Sequence, residues 1–412
     1  MTSDGQPPSA FVWVWLPGET EPVVAGRLDQ VGSALTFTYG RSYREREEAI
    51  PLYLPELPLV AGPIRPVVGE VAGCIADAGP DSWGQRVILN RRLQGGSGDT
   101  ADLGLLDYLL ESGSDRIGAL DFQHSATDYQ PRRVESATLE ELATSAAKVD
   151  AGELLSPALD SALLHGSSIG GARPKALLRD DNRRLIAKFS SSTDSYPVVK
   201  GEFIAMELAR RVGLSVAPVE LTTALGKDVL LIDRFDRSPD GARRMMVSAL
   251  TVLGLAEPAA RYASYAALAT EVNARFTDPK ATRRELFSRM TFNILVGNSD
   301  DHARNHSAFW DGEYLTLTPA YDIAPQPRAG GETSQAIAIG DDGYRMSQAA
   351  GCVERAASFG LADSDAREIV ARQIEVIEAE WEDVCALAGL TEVERAYFLG
   401  RQFVNPYSLE GF

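Results

Sequence analysis

The stretch GNSDDHARNHS, from Gly297 to Ser307, carries the strongest structural signal in the sequence. It follows the run ELFSRMTFNILV, in which apolar residues fall on one side at helical spacing, namely Phe287, Met290 and Ile294. Within the stretch, Asp300 is followed five positions later by Asn305. The pattern predicts a helix that ends in a polar loop, and this loop presents a carboxylate and an amide together.

The spacing of these two residues matches the D-x-x-x-x-N spacing of kinase catalytic loops. In such a loop the aspartate orients an incoming hydroxyl and accepts its proton, while the asparagine offers a neutral oxygen to a magnesium ion. We therefore predict that Asp300 is the catalytic residue and that Asn305 is a metal ligand.

A second carboxylate follows in FWDGEYLTLTPAYDIA, where Asp311 and Gly312 predict a tight turn between two strands. We expect Asp322 at the end of the second strand, where it returns over the loop and adds a hard oxygen ligand for the metal. Each residue alone also has a structural interpretation, because Asp300 can cap a helix, Asn305 can occupy a turn and Asp322 can be a solvated loop residue. Their order and context together favour phosphoryl transfer.

Upstream, the segment RRLIAKFS predicts a strand with alternating faces. Leu185, Ala187 and Phe189 share one face, so Lys188 points to the other, where it can reach the α- and β-phosphates of ATP. Glu202, in the first turn of the following helix, is placed to pair with Lys188. An exposed lysine and a glutamate that complements the helix dipole are the alternative interpretations.

The segment DVLLIDRFDR predicts an apolar strand that ends abruptly in charge. Such a strand end can present backbone groups to adenine, so we assign Asp233 and Phe235 to a hinge and Asp236 to the neighbourhood of the ribose. Alternatively, Arg234, Asp236 and Arg237 form a surface ion-pair cluster.

A glycine-rich stretch, GSSIGGARPKALL, begins at Gly166. It lacks the lysine of a Walker A loop, but it matches the G-x-S-x-G pattern of a hydrolase nucleophile elbow around Ser168. The flanking patterns oppose the elbow, because a helix-like run precedes the stretch and a strand-like run follows it. The base would also have to be His302 or His306. As a flap over phosphates the stretch is reasonable, since glycines let backbone N–H groups approach closely.

Composition and charge limit the classes of protein to which the chain can belong. The chain has 412 residues with 44% hydrophobic content, which predicts two or three globular modules. A net charge of −18 disfavours a surface that binds the phosphate backbone of DNA. The chain would therefore contact DNA only through a basic partner protein. The cysteines form no CxxC pair, and no leader or membrane-spanning run is visible. We expect a cytoplasmic protein that does not contact a membrane.

Element patterns predict an α+β fold with three parts. A small β-rich N-terminal subdomain is expected over residues 1–125, the nucleotide-binding part of the N-lobe over 150–237, and an all-helical C-terminal lobe with the catalytic loop over 238–412. The last part contains REIVARQIEVIEAEWEDVCALAG, a long amphipathic helical pattern.

Several segments together resemble the HipA family of serine/threonine kinase toxins, which belong to type II toxin–antitoxin systems. They are PDSWGQRVI, DRIGAL, SSIGGARPKALL, LIAKF, LIDRFDR, GNSDDHARNHSAFW and LTPAYDIAP. The resemblance implies a two-lobed protein-kinase-like fold, ATP and Mg²⁺ as cofactors, and phosphorylation of a translation component such as an aminoacyl-tRNA synthetase. It also implies a small helix-turn-helix antitoxin as partner.

Carried over by residue, the resemblance makes Asp300 catalytic, Asn305 and Asp322 metal ligands, Lys188 the phosphate lysine and Ser168 the autophosphorylated serine. The full predicted ATP-binding set is Ser168, Ile169, Gly170, Gly171, Ala172, Lys188, Asp233, Phe235, Asp236 and His302.

Three other functions remain open: a kinase of this fold that acts on a small molecule or lipid headgroup, a serine hydrolase that uses Ser168, and a non-catalytic corepressor that only binds an antitoxin.

Overall fold

The computed structural model describes residues 9–94, 103–132, 137–155, 173–180, 183–191, 193–328 and 330–412. The chain divides into two units. The first comprises Met1–Thr193, Thr223–Val247 and Phe309–Glu313, and the second comprises Asp194–Thr222, Ser248–Ala308 and Tyr314–Phe412. Neither unit is one continuous segment, because the chain returns to each of them. The three predicted domain ranges stay a prediction.

An antiparallel five-stranded sheet opens the first unit, in the region where alternating residues predict strands. In spatial order its strands are Pro63–Ile64, Ala34–Tyr39, Val23–Val31, Ser9–Val14 and Leu120–Gln123. Val12, Leu28 and Phe37 come from three neighbouring strands and are at most 1% exposed. Burial of this apolar face forms the core of the sheet.

The helices of the first unit lie between and after these strands. They are Arg41–Arg44, Gly73–Ala76, Ser82–Gln94, Leu105–Glu111 and Leu139–Asp150. At the start of the third, the Asp81 carboxylate accepts a hydrogen bond from the Trp83 backbone N–H at 3.3 Å. Thr138 and Glu141 form a capping box at the start of the last helix.

A four-stranded sheet forms the second layer of this unit, in the order Lys175–Asp180, Arg183–Phe189, Lys227–Asp233 and Val219–Ala224. One face packs against the helices Ser82–Gln94 and Leu139–Asp150, and the fully buried Trp83 lies in that core. The indole Nε1 of Trp83 donates to the Lys175 carbonyl at 3.0 Å. The opposite face therefore carries the residues that alternate with the core residues.

Three short strands form a further sheet: Met246–Ser248, Ser307–Trp310 and Leu315–Leu317, with the middle one in the centre. Gly312, between the last two, has φ +108°, and its conformation supports the predicted turn. The expectation that Asp322 ends the second strand is wrong. That strand ends at Leu317, and Pro319 follows, which has no backbone N–H to continue the ladder.

The second unit is mainly helical. Its α-helices are Val198–Arg211, Ala249–Val252, Tyr265–Arg275, Pro279–Leu295, Ala349–Val353, Asp363–Leu387, Glu392–Phe398 and Pro406–Leu409, and its 3₁₀ turns are Glu257–Tyr262, Ala303–Asn305 and Ala356–Phe359. The helix that ends before the quoted loop is buried on all sides over its last turns, from Arg289 to Leu295. It therefore gives the loop a rigid base. Within the described ranges, no helix is both long enough and apolar enough to cross a membrane.

Candidate active site

The candidate catalytic loop starts at a glycine that the backbone requires. The helix Pro279–Leu295 ends and Gly297 follows with φ +71°, in the left-handed region. A Cβ at this position would lie 2.6 Å from the Gln402 carbonyl oxygen. The next residue, Asn298, donates its backbone N–H to the Asn293 carbonyl at 2.8 Å, which closes the helix end. The loop therefore leaves the helix in one fixed direction.

A neighbouring segment, residues 335–337, holds the loop by backbone hydrogen bonds. Ala336 N–H donates to the Ser299 carbonyl at 3.0 Å, and Ile337 N–H donates to the Asp301 carbonyl at 3.1 Å. The Gln335 amide adds a bond to the Asn298 carbonyl at 2.9 Å. Within the loop held by these bonds, Asp300 is exposed and Asp301 is buried.

Asp300 and Asn305 lie together in this loop. The Nδ2 of Asn305 donates to the Asp300 carbonyl at 3.4 Å, and Asn305 N–H donates to the His302 carbonyl at 2.9 Å in a 3₁₀ turn. The segment from Asp300 to Asn305 therefore folds back on itself. It places a buried amide beside the backbone of the exposed carboxylate.

Asp322 lies near the same loop. Its backbone has φ +59°, a left-handed conformation that is uncommon for a residue with a side chain. Asn298 Nδ2 contacts the Asp322 carbonyl at 3.5 Å, and the backbone N–H of Gln326 donates to the Gly297 carbonyl at 2.9 Å. The segment after Asp322 is thus tied to the start of the catalytic loop, and a sparsely populated backbone conformation is often found at functional sites.

The electrostatics also link these carboxylates. Loss of surrounding water raises the pKa of Asp300 above its usual value. Interaction with His302 lowers that pKa, whereas the negative charges of Asp322 and Asp301 raise it. The net shift is upward, which makes Asp300 a better proton acceptor. The geometric link is the contact of the Asp322 carbonyl with Asn298, which places the backbone of Asp322 beside the loop that carries Asp300.

The donor set suits magnesium. Asp322 and Asn305 offer hard oxygens, and Mg²⁺ commonly takes one or two carboxylates and completes its shell with phosphate oxygens and water. In the part of the chain that the structure describes, no three His, Cys, Asp or Glu side chains gather into a metal cluster.

Lys188 lies on the face of the four-stranded sheet that the sequence predicts, opposite the buried face of Leu185, Ala187 and Phe189. The register pairs Lys188 with Lys175 on the adjacent strand, and both are at most 8% exposed. The two lysines therefore lie side by side on the sheet face away from the core. Sequence reasoning missed Lys175. Alternation along the segment KALLRD would have placed Lys175 on one face with Leu177.

The same sheet face carries apolar side chains beside the lysines. Ile186 and Lys188 are two positions apart on one strand and so share a face. Their partners on the next strand are Ile232 and Leu230. Such a surface suits a flat, apolar ring next to phosphates. Glu202 is 2% exposed in the helix Val198–Arg211 of the other unit. Its ion pair with Lys188 stays a prediction.

After the strand that ends at Asp233, Asp236 is buried in an ion-pair cluster. Asp236 is 2% exposed, and its carboxylate accepts from Arg234 Nη2 at 2.8 Å, Arg237 Nη1 at 2.9 Å and the Gly118 N–H at 2.8 Å. This is the alternative ion-pair cluster, buried rather than on the surface. The proposed contact of Asp236 with a ribose stays a prediction, and its buried partners weigh against it.

The two residues assigned to the hinge, Asp233 and Phe235, are more exposed than Asp236. The Asp233 carboxylate accepts from Arg183 at 2.8 Å in a partly exposed ion pair. The Phe235 ring contacts Phe309 edge-on, with centroids 6.0 Å apart. The glycine-rich positions Ser168, Ile169, Gly170, Gly171 and Ala172 lie outside the described residues.

Comparison with protein families gives a clear result. The HipA-like C-terminal domain matches residues 167–381, which is more than half of the chain. This chain belongs to the HipA family. The HipA N-terminal domain also matches, over residues 14–123.

Known relatives of this HipA-family chain include kinases. The putative kinase Y4mE of Sinorhizobium fredii is 33% identical over 150 residues, 34% of this chain and 33% of the relative. The serine/threonine-protein kinase toxin HipA of Shewanella oneidensis is 26% identical over 185 residues, 38% of this chain and 42% of the relative. The alignments therefore cover less than half of either relative.

A solved structure supports the fold. A chain in the complex of Shewanella oneidensis HipA, HipB and operator DNA superposes with a TM-score of 0.69. The superposition covers 97% of this chain and 95% of that chain at 18% identity. The predicted two-lobed α+β fold with a sheet-rich N-terminal part is confirmed. The C-terminal part, predicted to be all helical, is mainly helical, because the short strands Met246–Ser248, Ser307–Trp310 and Leu315–Leu317 also lie within residues 238–412.

Proposed function

We propose that this HipA-family chain is an ATP- and magnesium-dependent kinase that phosphorylates a serine or threonine hydroxyl. One observation carries the proposal. Asp300 and Asn305 share one loop of the second unit, where Asn305 contacts the Asp300 backbone, and the Asp322 carbonyl contacts Asn298 of the same loop. Kinase names among the relatives support the same activity.

Each residue has a defined part in the proposed reaction. Asp300 orients the acceptor hydroxyl and takes its proton, and its raised pKa favours that transfer. Asn305 and Asp322 hold magnesium, which supplies positive charge for the transferring phosphoryl group when it is bound. Lys188, with Lys175 opposite it, is proposed to bind the nucleotide phosphates.

The wider role proposed for the chain is that of a toxin in a toxin–antitoxin pair. The structurally similar Shewanella chain comes from a complex of HipA, HipB and operator DNA, which supports a small helix-turn-helix antitoxin as partner here. A net charge of −18 fits DNA contact only through that partner. The proposed substrate is a translation component, such as an aminoacyl-tRNA synthetase, and Ser168 is the proposed autophosphorylation site in the cytoplasm.

The hydrolase alternative loses support at its base. His306 is 4% exposed, and its Nε2 bonds to the Asp301 carboxylate at 2.8 Å. Its burial argues against a role as a hydrolase base, whereas a bond to a carboxylate would not, because hydrolase histidines make the same bond. Ser168 itself lies outside the described residues.

The test is phosphoryl transfer from labelled ATP in a cell extract with magnesium. We expect label in a protein band, and we expect Asp300→Asn to reduce it by a factor of about 100 or more, because the proton acceptor is lost. The matched control is Glu378→Gln, the same carboxylate-to-amide change on an exposed helical residue. Label that appears only in a lipid or small-molecule fraction would overturn the protein-kinase proposal, as would equal labelling by Asp300→Asn.

A further inference from the structure

A buried polar network lies directly behind the catalytic loop, and it joins Tyr265, Asp301 and His306. The His306 Nε2–H donates to Asp301 Oδ1 at 2.8 Å, and the Tyr265 hydroxyl donates to Asp301 Oδ2. The Tyr265 hydroxyl oxygen also lies 2.9 Å from His306 Nε2. Their exposures are 0%, 1% and 4%, so the three groups are shielded from water. None of them is among the residues predicted to act in catalysis.

The network brackets the reacting residues. Asp301 directly follows Asp300, and His306 directly follows Asn305. Fixing residues 301 and 306 to each other therefore fixes both ends of a turn that contains Asn305 and that directly follows Asp300. We infer that Tyr265, Asp301 and His306 are positioning residues that hold this turn in its phosphoryl-transfer geometry, an inference that rests on the proposed kinase function.

Tyr265 anchors the turn to the body of the unit. It is the first residue of the helix Tyr265–Arg275, whose cap Ser264 pairs with Ala338. The adjacent Ile337 donates its N–H to the Asp301 carbonyl at 3.1 Å. Side chain and backbone of Asp301 are thus held by one connected support. The hydroxyl stays a donor across the usual pH range, because burial and the nearby Asp301 charge raise the pKa of Tyr265 well above its usual value.

The chemistry of the network favours positioning over simple packing. A buried carboxylate is costly unless it is fully hydrogen-bonded, and an apolar core would fill the same volume without that cost. Charge-assisted bonds have strict geometry, which apolar contacts lack. A small displacement of a catalytic group reduces a reaction rate by a factor of about 100. Loosening the turn should therefore slow phosphoryl transfer while leaving the nucleotide phosphates bound by the lysine-bearing sheet.

The experiment compares Tyr265→Phe, Asp301→Asn, His306→Leu and His306→Gln in the full chain. Single-turnover transfer from labelled ATP gives the rate, titration with a fluorescent ATP analogue and Mg²⁺ gives nucleotide affinity, and hydrogen exchange reports on residues 299–305. The control is Tyr43→Phe, the same loss of a hydroxyl from a fully buried tyrosine, which donates to the Ile50 carbonyl at 2.8 Å in the first unit.

We expect Tyr265→Phe, Asp301→Asn and His306→Leu to lower the transfer rate by a factor of about 10 to 100, with nucleotide affinity changed less than about threefold. Hydrogen exchange of residues 299–305 should rise. His306→Gln keeps an N–H donor and should recover much of the rate. Tyr43→Phe should leave rate and loop exchange unchanged.

Two results would overturn the inference: loop exchange and transfer rates in Tyr265→Phe and His306→Leu that equal those of Tyr43→Phe, or a His306→Gln variant as slow as His306→Leu. If one variant fails to fold, the remaining three still decide it. If the natural chain transfers no phosphate at all, the proposed function fails, and loop exchange in the variants then decides alone whether the network orders the turn.

Discussion

At the scale of single residues, the catalytic candidate carries an electrostatic cost. Asp300 is exposed, yet partial desolvation and the charges of Asp322 and Asp301 raise its pKa. Negative charges held together without magnesium destabilise the folded chain. Active sites commonly accept such a cost, because the same arrangement binds the ion and the substrate.

We predict that Asp300→Asn raises the melting temperature in metal-free buffer at neutral pH while it abolishes transfer. The folded-state pKa of Asp300 is raised, so its contribution to stability is present below the unfolded-state pKa of about 4 and is lost as pH rises through the folded-state pKa. The advantage of the variant should therefore disappear in acid. Thermal melts with a chelator at both pH values check this. A lower melting temperature at neutral pH, relative to Glu378→Gln, would contradict it.

At the scale of elements, strand register decides which residues share the sheet face that is proposed to bind the nucleotide. Alternation along one strand correctly predicts that Lys188 lies opposite Leu185, Ala187 and Phe189. The pairing of Lys175 with Lys188 depends on the register of a second strand, which periodicity alone does not give. Similarly, the hairpin before Asp322 is predictable from its turn residues, but its early end at Leu317 is not evident from alternation.

The helix end that supports the loop gives a second prediction. Gly297→Ala should lower the free energy of unfolding by more than Gly254→Ala, although both glycines have positive φ, +71° and +64°. Nothing lies within 4 Å of a Cβ at Gly254, so that variant reports backbone strain alone, about 1 kcal/mol. At Gly297 the Gln402 carbonyl adds a clash worth about 1–3 kcal/mol more. Urea unfolding measures the difference, and equal losses would contradict the close contact.

At the scale of the whole molecule, residues far apart in sequence share one buried charge network in the first unit. Arg234 donates to Asp115 at 2.9 Å and to the Arg116 carbonyl at 2.7 Å, and Arg237 donates to Asp115 at 2.8 Å. Burial alone would raise the pKa of Asp236, but Arg234 and Arg237 lower it, so it stays charged. The network ties residues 115 and 116 to the end of the strand Lys227–Asp233.

We predict that Asp236→Asn lowers the free energy of unfolding by about 3–5 kcal/mol, because two buried guanidinium groups lose a shared carboxylate. Asp240→Asn, the same change at an exposed position a few residues later, should cost less than about 1 kcal/mol. Chemical denaturation followed by tryptophan fluorescence measures both. Similar small losses in the two variants would show that the network contributes little to stability.

The sequence alone determines the features that depend on near neighbours. Helix and strand patterns follow from local periodicity, and the spacing of Asp300 and Asn305 lies within one loop, so both are readable from the chain. Only the tertiary structure decides the partners. Tyr265 meets Asp301 and His306, and Arg234 meets Asp115, across separations that leave no local signature. Burial selects these pairs, because a charge removed from water must find a partner wherever the fold brings one.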